Sequence, residues 1–143
     1  MSIARIVAGR NHEITTCTEQ TSVKDAVALL TEKRIGAMPV VDASGKVVGI
    51  FSERDVIRCL NVHGGEALDL TMDKVMTSPA VTVTRDTSEN QALALMTRRR
   101  IRHLPVVENG NMVSFLSIGD LVKARIDEIE SEAKALRDYI HSA

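Results

Sequence analysis

Tryptophan is absent from the 143-residue chain, and its aromatics are Phe51, Phe115 and Tyr139. A protein that holds single strands by stacking their bases needs more aromatic surface than that. A basic excess is missing as well. Eighteen Lys and Arg stand against 19 Asp and Glu, a formal net charge of -1, so the electrostatic footprint of a dedicated nucleic-acid binder is not there. Cys17 and Cys59 are too few for a disulfide scaffold, and no CxxC offers a zinc site. No apolar run approaches the roughly 18 residues needed to span a bilayer, and the N-terminus lacks a signal peptide's apolar core. The expectation is a cytoplasmic protein bound to neither membrane nor nucleic acid. Catalytic constellations are equally scarce. The histidines at 12, 63, 103 and 141 are dispersed, and no HExxH, GxSxG or P-loop occurs. An enzyme, a metal site and a catalytic cofactor are therefore not expected.

What the chain does have is 44% apolar residues, almost all aliphatic, and a stretch that occurs twice. Ile101 to Val107 and Met112 to Leu116 are two apolar runs around the turn Glu108-Asn109-Gly110-Asn111, followed by Ser117-Ile118-Gly119-Asp120 and helical spacing. Ser88, Ala92, Ile101, Pro105 and Val106 repeat Ser22, Ala26, Ile35, Pro39 and Val40 at an offset of 66. After the turn the offset is 65, with Gly110, Ser117 and Asp120 matching Gly45, Ser52 and Asp55. A one-residue drift confined to a turn is what two copies of one fold should show. Two copies make a tandem duplication, not a solenoid.

Each copy reads strand, helix, strand, strand, helix. In the first copy the pattern predicts a strand over 14–17 and a Ser22-capped helix from Val23. Strands over 37–41 and 46–51 and a helix from Ser52 to about Leu60 follow. Ile3, Ile6 and Val7 form a helical cluster before the turn Gly9-Arg10-Asn11-His12, and Asn61 to Glu66 reads as a linker. In the second copy, 71–76 is a short helical segment, 81–83 a strand, and Thr87-Ser88 caps another helix. One unit has a sheet face it cannot cover alone, so the two copies should pack together with pseudo-two-fold symmetry. The expected fold is α/β (α+β), two β-α-β-β-α repeats plus a C-terminal helix. The domain division is 1–65, 66–125 and 126–143.

The paired feature with chemical content is Ser-x-x-Asp at a strand-to-helix junction, Ser52/Asp55 and Ser117/Asp120. It is a capping-box arrangement that satisfies helix-end N–H groups. The same geometry is also a ready anion site. Ser can donate to a phosphate oxygen, and an ionised Asp accepts from a diol such as the ribose hydroxyls. Both readings stand on the motif alone.

The two stretches together, Ile35-Gly36-Ala37-Met38-Pro39-Val40-Val41 with Val48 to Val56, and Ile101 to Val107 with Val113 to Leu121, resemble the tandem CBS-domain pair, or Bateman module. The likeness is to small stand-alone bacterial proteins and covers roughly residues 1–125. It implies binding of an adenine nucleotide (AMP, ADP or ATP, with NAD or S-adenosylmethionine in some members) in two clefts between the copies. By that resemblance Asp55 and Asp120 hold ribose hydroxyls, with Ser52 and Ser117 near phosphate. Adenine is sandwiched around Ala37-Met38-Pro39 and His103-Leu104-Pro105, and by Thr16-Cys17 and Thr82-Val83 of the first strands. The copies differ where a phosphate would sit. Arg102-His103 replaces Gly36-Ala37, and Arg54 stands where the second copy has Gly119. These cations favour the Asp120 cleft as the occupied one, with Arg54 reaching across to a neighbouring phosphate. Arg98-Arg99-Arg100 reads first as a solvated helix end.

The C-terminal segment carries Val122, Ile126, Ile129, Ala133, Leu136 and Ile140 at alternating steps of 4 and 3, a short heptad seam. It fits a homodimer interface or a helix folded back on its own body; dimerisation, common in the family, is the expectation. The leading functional reading is a regulatory adenine-nucleotide sensor acting on a separate, unknown partner. The alternative is a structural or dimerisation protein without a nucleotide response.

Overall fold

A computed structural model describes residues 1–9 and 13–142; the turn expected at 9–12 lies mostly outside the described residues. In chain order the elements are α1 (Ala4–Ala8), β1 (Cys17–Thr18), α2 (Val23–Lys33), β2 (Ala37–Val41), β3 (Val47–Ser52) and α3 (Glu53–His63). A 3-10 segment over Gly64–Asp69 leads to α4 (Met72–Val75), α5 (Glu89–Arg99), β4 (His103–Glu108), β5 (Asn111–Ser117) and α6 (Ile118–Ser142). The fold is the expected pair of mixed helix/strand repeats related by pseudo-two-fold symmetry, with a C-terminal helix.

The symmetry is visible in the registers. Ala37 pairs with Ser52 and Met38 with Phe51, as His103 pairs with Ser117 and Leu104 with Leu116. Both antiparallel pairs slip at the same place, between Val40 and Val41 and between Val106 and Val107. The one-residue difference falls in the hairpin turns. Asn109 and Gly110 both adopt positive φ (53° and 81°) in a two-residue connection, which suits the twist of paired strands. The longer first turn is held by Asp42 Oδ1, which accepts from Ser44 N at 2.9 Å and Lys46 N at 3.0 Å.

Helices α2 and α5 start where their caps predict. Ser22 Oγ accepts from Asp25 N at 3.1 Å, and Ser88 Oγ from Gln91 N at 3.0 Å. Both end in an arginine with a left-handed backbone, Arg34 (φ 54°) and Arg100 (φ 55°). These are positions usually taken by Gly or Asn.

Four local expectations change. The first strand is Cys17–Thr18, paired in parallel with Val40–Val41, rather than 14–17. Residues 81–83 make a single parallel bridge, Val83 to Val106, instead of a strand. In both copies the chain joins the sheet only at its last step, so the residues before it stay unpaired. The linker at 61–66 is helical, because α3 runs to His63 and the 3-10 segment buries Ala67 against the first core. The last helix is continuous from Ile118, so residue 126 lies inside it.

Packing also crosses the boundary at residue 65. Ile3 and Val7 of α1 are buried in the core of the second copy, with Met96, Leu104 and Leu116. Met72 of α4 is buried in the core of the first, with Met38 and Phe51. Backbone bonds repeat the exchange: Ile3 N donates to Thr87 O (2.9 Å) and Met72 N to Thr21 O (3.0 Å). Arg5 then clamps α1 down through a 2.9 Å ion pair with the buried Glu89.

Candidate functional site

The strand-to-helix junctions place the two aspartates in unlike surroundings. Asp120 Oδ2 accepts from Ser117 N at 2.8 Å, while Asp120 N donates to Ser117 Oγ at 3.1 Å, a complete capping box. Asp120 remains half-buried and lines a cleft of about 330 Å³. Asp55 also reaches back to Ser52 N, at 2.8 Å, but its other oxygen accepts from Arg58 Nη1 at 3.0 Å and from Thr77 Oγ1 at 2.8 Å. It is only 2% exposed, at the edge of a second cleft of about 320 Å³.

Both clefts are built across the copies. The first takes Glu13, Ile14, Thr15 and Arg34 to Ala37 from the first copy, and His103, Phe115, Ser117 and Asp120 from the second. The other takes Pro79, Ala80, Val81 and Arg99 to His103 from the second copy, and Ser52, Arg54, Asp55 and Arg58 from the first. The walls correspond at the repeat offset of 66, Glu13 to Thr15 against Pro79 to Val81 and Arg34 against Arg100. Gly36, Ala37 and His103 border both. A Cβ added at Gly36 would lie 2.9 Å from Glu53 Oε1 and 4.0 Å from His103 Cε1, so the absent side chain keeps the space between the copies open.

Several expected site residues sit elsewhere. Met38 and Leu104 are fully buried and point into the two cores, on the opposite strand face from Ala37 and His103. Pro39 and Pro105 are buried within the sheet pairs. Cys17 and Val83 are core residues, and burial pushes the Cys17 thiol up to about 11. Thr16 and Thr82 fall outside both walls, which run instead through 13–15 and 79–81, just before the chain joins each sheet.

The cations are rearranged too. Arg102 lines the Asp55 cleft rather than the Asp120 cleft, because successive strand-entry residues point opposite ways. Arg54 does cross to the other copy, donating to Arg100 O at 3.1 Å, but it too borders the Asp55 cleft. Arg99 and Arg100, expected to be solvated, join them there. Among the described residues the arginine lining the Asp120 cleft is Arg34, the counterpart of Arg100 at offset 66. His103 borders both clefts and stacks on Phe115 with ring centroids 5.3 Å apart. Burial holds its imidazole below the usual histidine range, and Arg102 adds to that against the opposing pull of Asp120 and Glu53. At neutral pH it is therefore an uncharged aromatic wall, not a cation.

The outcome is two electrostatically different clefts. Among the described residues, the Asp120 cleft holds one arginine against two carboxylates, Glu13 and Asp120. The Asp55 cleft holds five arginines against one buried carboxylate. Among the described residues no cluster of His, Cys, Asp and Glu could hold a metal ion, and no helix is long and apolar enough to cross a membrane.

The family model for the CBS domain matches this chain twice, over residues 7–62 and 72–127. The chain belongs to the CBS-domain family. Its CBS pair is similar to the CBS-domain containing protein ATU1752 from Agrobacterium tumefaciens, with 34% identity, a TM-score of 0.82, and coverage of 87% of this chain and 92% of that one. It is similar to the mitochondrial CBS domain-containing protein CBSX3 of Arabidopsis thaliana, 37% identical over 128 residues, 87% of this chain and 62% of the relative. The chain thus spans less than two thirds of the length of the first curated relatives it matches. A third likeness is to CBSX2, solved in complex with AMP, at 28% identity and a TM-score of 0.70, covering 80% of this chain and 88% of that one. CBS pairs are regulatory modules.

Proposed function

We propose that this CBS pair senses an adenine nucleotide in the cleft around Asp120 and passes its occupancy to a separate protein. The observation that carries the reading is Asp120 itself. It is a half-buried carboxylate on the wall of a cleft of about 330 Å³, facing residues of the other copy. At Asp55 a diol would have to displace Arg58 and Thr77 from a carboxylate that is 2% exposed, whereas Asp120 stands half-buried on the cleft wall. Ser117 and Arg34 are the cleft's donors toward phosphate. Gly36, Ala37, Ile14 and the His103–Phe115 stack supply flat apolar surface for a base. The AMP complex of CBSX2 supports the ligand class.

Charge selects among nucleotides. The described lining, one arginine against two carboxylates, accepts one phosphate group far better than three, so AMP is the preferred ligand of the Asp120 cleft, ahead of ADP, ATP and NAD. The arginine-rich cleft suits nucleotides with longer phosphate chains. Because the ligand touches both copies, it favours one arrangement of them by its difference in affinity between arrangements, which is all that a regulatory ligand can do. Calorimetric titration of the purified chain with AMP, ADP, ATP and NAD tests this. AMP should bind with the highest affinity, and the absence of heat with every one of them contradicts the reading.

A further inference from the structure

The cleft at Asp55 gathers more positive charge than its surroundings match. Arg54 and Arg58 enter it from α3, Arg99 and Arg100 from the end of α5, and Arg102 from the residue before β4. All five residues are exposed, and the two copies bring them to one opening of about 320 Å³. Arg58 pairs with Asp55 at 3.0 Å, while Arg54 Nη1 donates at 3.1 Å to a neutral group, the carbonyl of Arg100. Among the described residues no carboxylate pairs with Arg99, Arg100 or Arg102. Glu53, the first residue of α3, lines a neighbouring groove instead. Like charges on one concave wall reinforce each other's potential and draw in a counter-ion.

The fold itself does not require these charges. At the repeat offsets Arg54, Arg58, Arg99 and Arg102 correspond to Gly119, Lys123, Lys33 and Gly36. Of those four only Gly36 borders the Asp120 cleft, and it carries no charge. Arg100 alone has its counterpart in place there, Arg34, each on the left-handed residue that ends its helix.

The fitting anion follows from what the cleft offers and withholds. Asp55 is 2% exposed, and four hydrogen bonds from Ser52, Arg58 and Thr77 use the acceptor capacity of its carboxylate. Nothing is left there for the hydroxyls of a ribose. Guanidinium forks grip phosphoryl oxygens in pairs. A single phosphate group reaches only some of five forks spread over three elements; a chain of linked phosphoryl groups spans them. We infer that the Asp55 cleft is an oligophosphate site, taking a chain of two or more linked phosphoryl groups by charge and without reading a ribose. Inorganic tripolyphosphate and the tail of a nucleoside triphosphate share that chemistry. The inference builds on the charge reading of this cleft and is independent of AMP binding at Asp120.

Calorimetric titration of the full chain with inorganic tripolyphosphate, in magnesium-free buffer, tests the site. Tripolyphosphate should bind, and Arg99→Ala and Arg102→Ala should each weaken it by about fivefold or more while leaving the affinity for AMP unchanged. Both side chains are exposed, so neither variant should disturb the fold. In an Asp120→Ala background, which silences the other cleft, ATP and 2′,3′-dideoxy-ATP should bind equally. The two sources separate in that background. Tripolyphosphate within about tenfold of ATP marks a free oligophosphate as the ligand, and ATP tighter than that marks a nucleotide held by its tail. Absence of tripolyphosphate binding overturns the inference. So does binding indifferent to both arginine variants, or a tenfold loss on removing the ribose diol. AMP that fails to bind contradicts the reading of the Asp120 cleft, not this one.

Discussion

Asp55 and Asp120 share a motif and a backbone position, yet their surroundings give them different work. Asp55 is buried with four hydrogen bonds from three residues; it ties α3 to the segment at Thr77. Asp55→Ala should cost about 1–3 kcal/mol of stability, measured by urea denaturation, while leaving AMP binding at the other cleft intact. Asp120→Ala should show the reverse weighting. Gly49 is a second residue whose role no motif announced. A Cβ there would meet Met76 Sδ at 2.7 Å and Thr77 O at 2.9 Å, and backbone cannot yield like a side-chain end. Gly49→Ala should therefore destabilise by about 1–3 kcal/mol in the same assay. His103 brings pH into the fold. Its folded-state pKa lies below the unfolded value, so on acidification the unfolded chain takes up the proton first. Its contribution is present above the unfolded pKa and is lost as pH falls through that value toward the lower folded one. His103→Phe, which keeps the stack on Phe115, should flatten the fall of Tm between neutrality and mild acidity relative to the unaltered chain. Residue types and spacing pointed to both aspartates and to His103. They could not show how firmly Asp55 is clamped, because Thr77 and Arg58 close on it only in three dimensions.

At the scale of elements, the repeat made most of the architecture legible. Cap residues and helical periodicity placed α2 and α5, and the hairpins followed from apolar runs around Gly-containing turns. The two short helices were legible as helices but not as to where they pack. Met72 and Met76 correspond to Ile3 and Val7 at an offset of 69 rather than 66, which hides them from a search for the repeat, and each packs with the copy it does not precede. The consequence is testable. Ile3→Ala should cost about 2–4 kcal/mol. Hydrogen exchange should lose protection first in α5 and β4, not in the first copy that follows α1 in the chain. The first strands were overestimated for a related reason. β-branched residues at 14–16 and 81–83 have strand character, but most of them form cleft wall or irregular chain, where β propensity yields to tertiary context.

At the scale of the molecule, the described linings of two nearly equivalent clefts carry opposite charge balances. That follows from where the copies stopped matching, since Arg102 against Gly36 and Arg54 against Gly119 both add charge to the Asp55 side. Reading those differences along the chain assigned Arg102 to the nearer motif, whereas the fold delivers it to the other cleft. Under the proposed function such a module would report one ligand at the Asp120 side while the arginine-rich side responds to another, and the helix with Asp120 in its first turn continues into an exposed apolar seam. The central claim is that Asp120 holds a ribose diol. Its most direct test is a calorimetric cycle of AMP and 2′,3′-dideoxy-AMP against the unaltered chain and Asp120→Ala. Losing the diol and losing the carboxylate should each weaken binding by at least tenfold, on the order of 1.4 kcal/mol or more, and the two losses together should be no worse than either alone. Full additivity of the two losses, or AMP binding indifferent to Asp120→Ala, would contradict it.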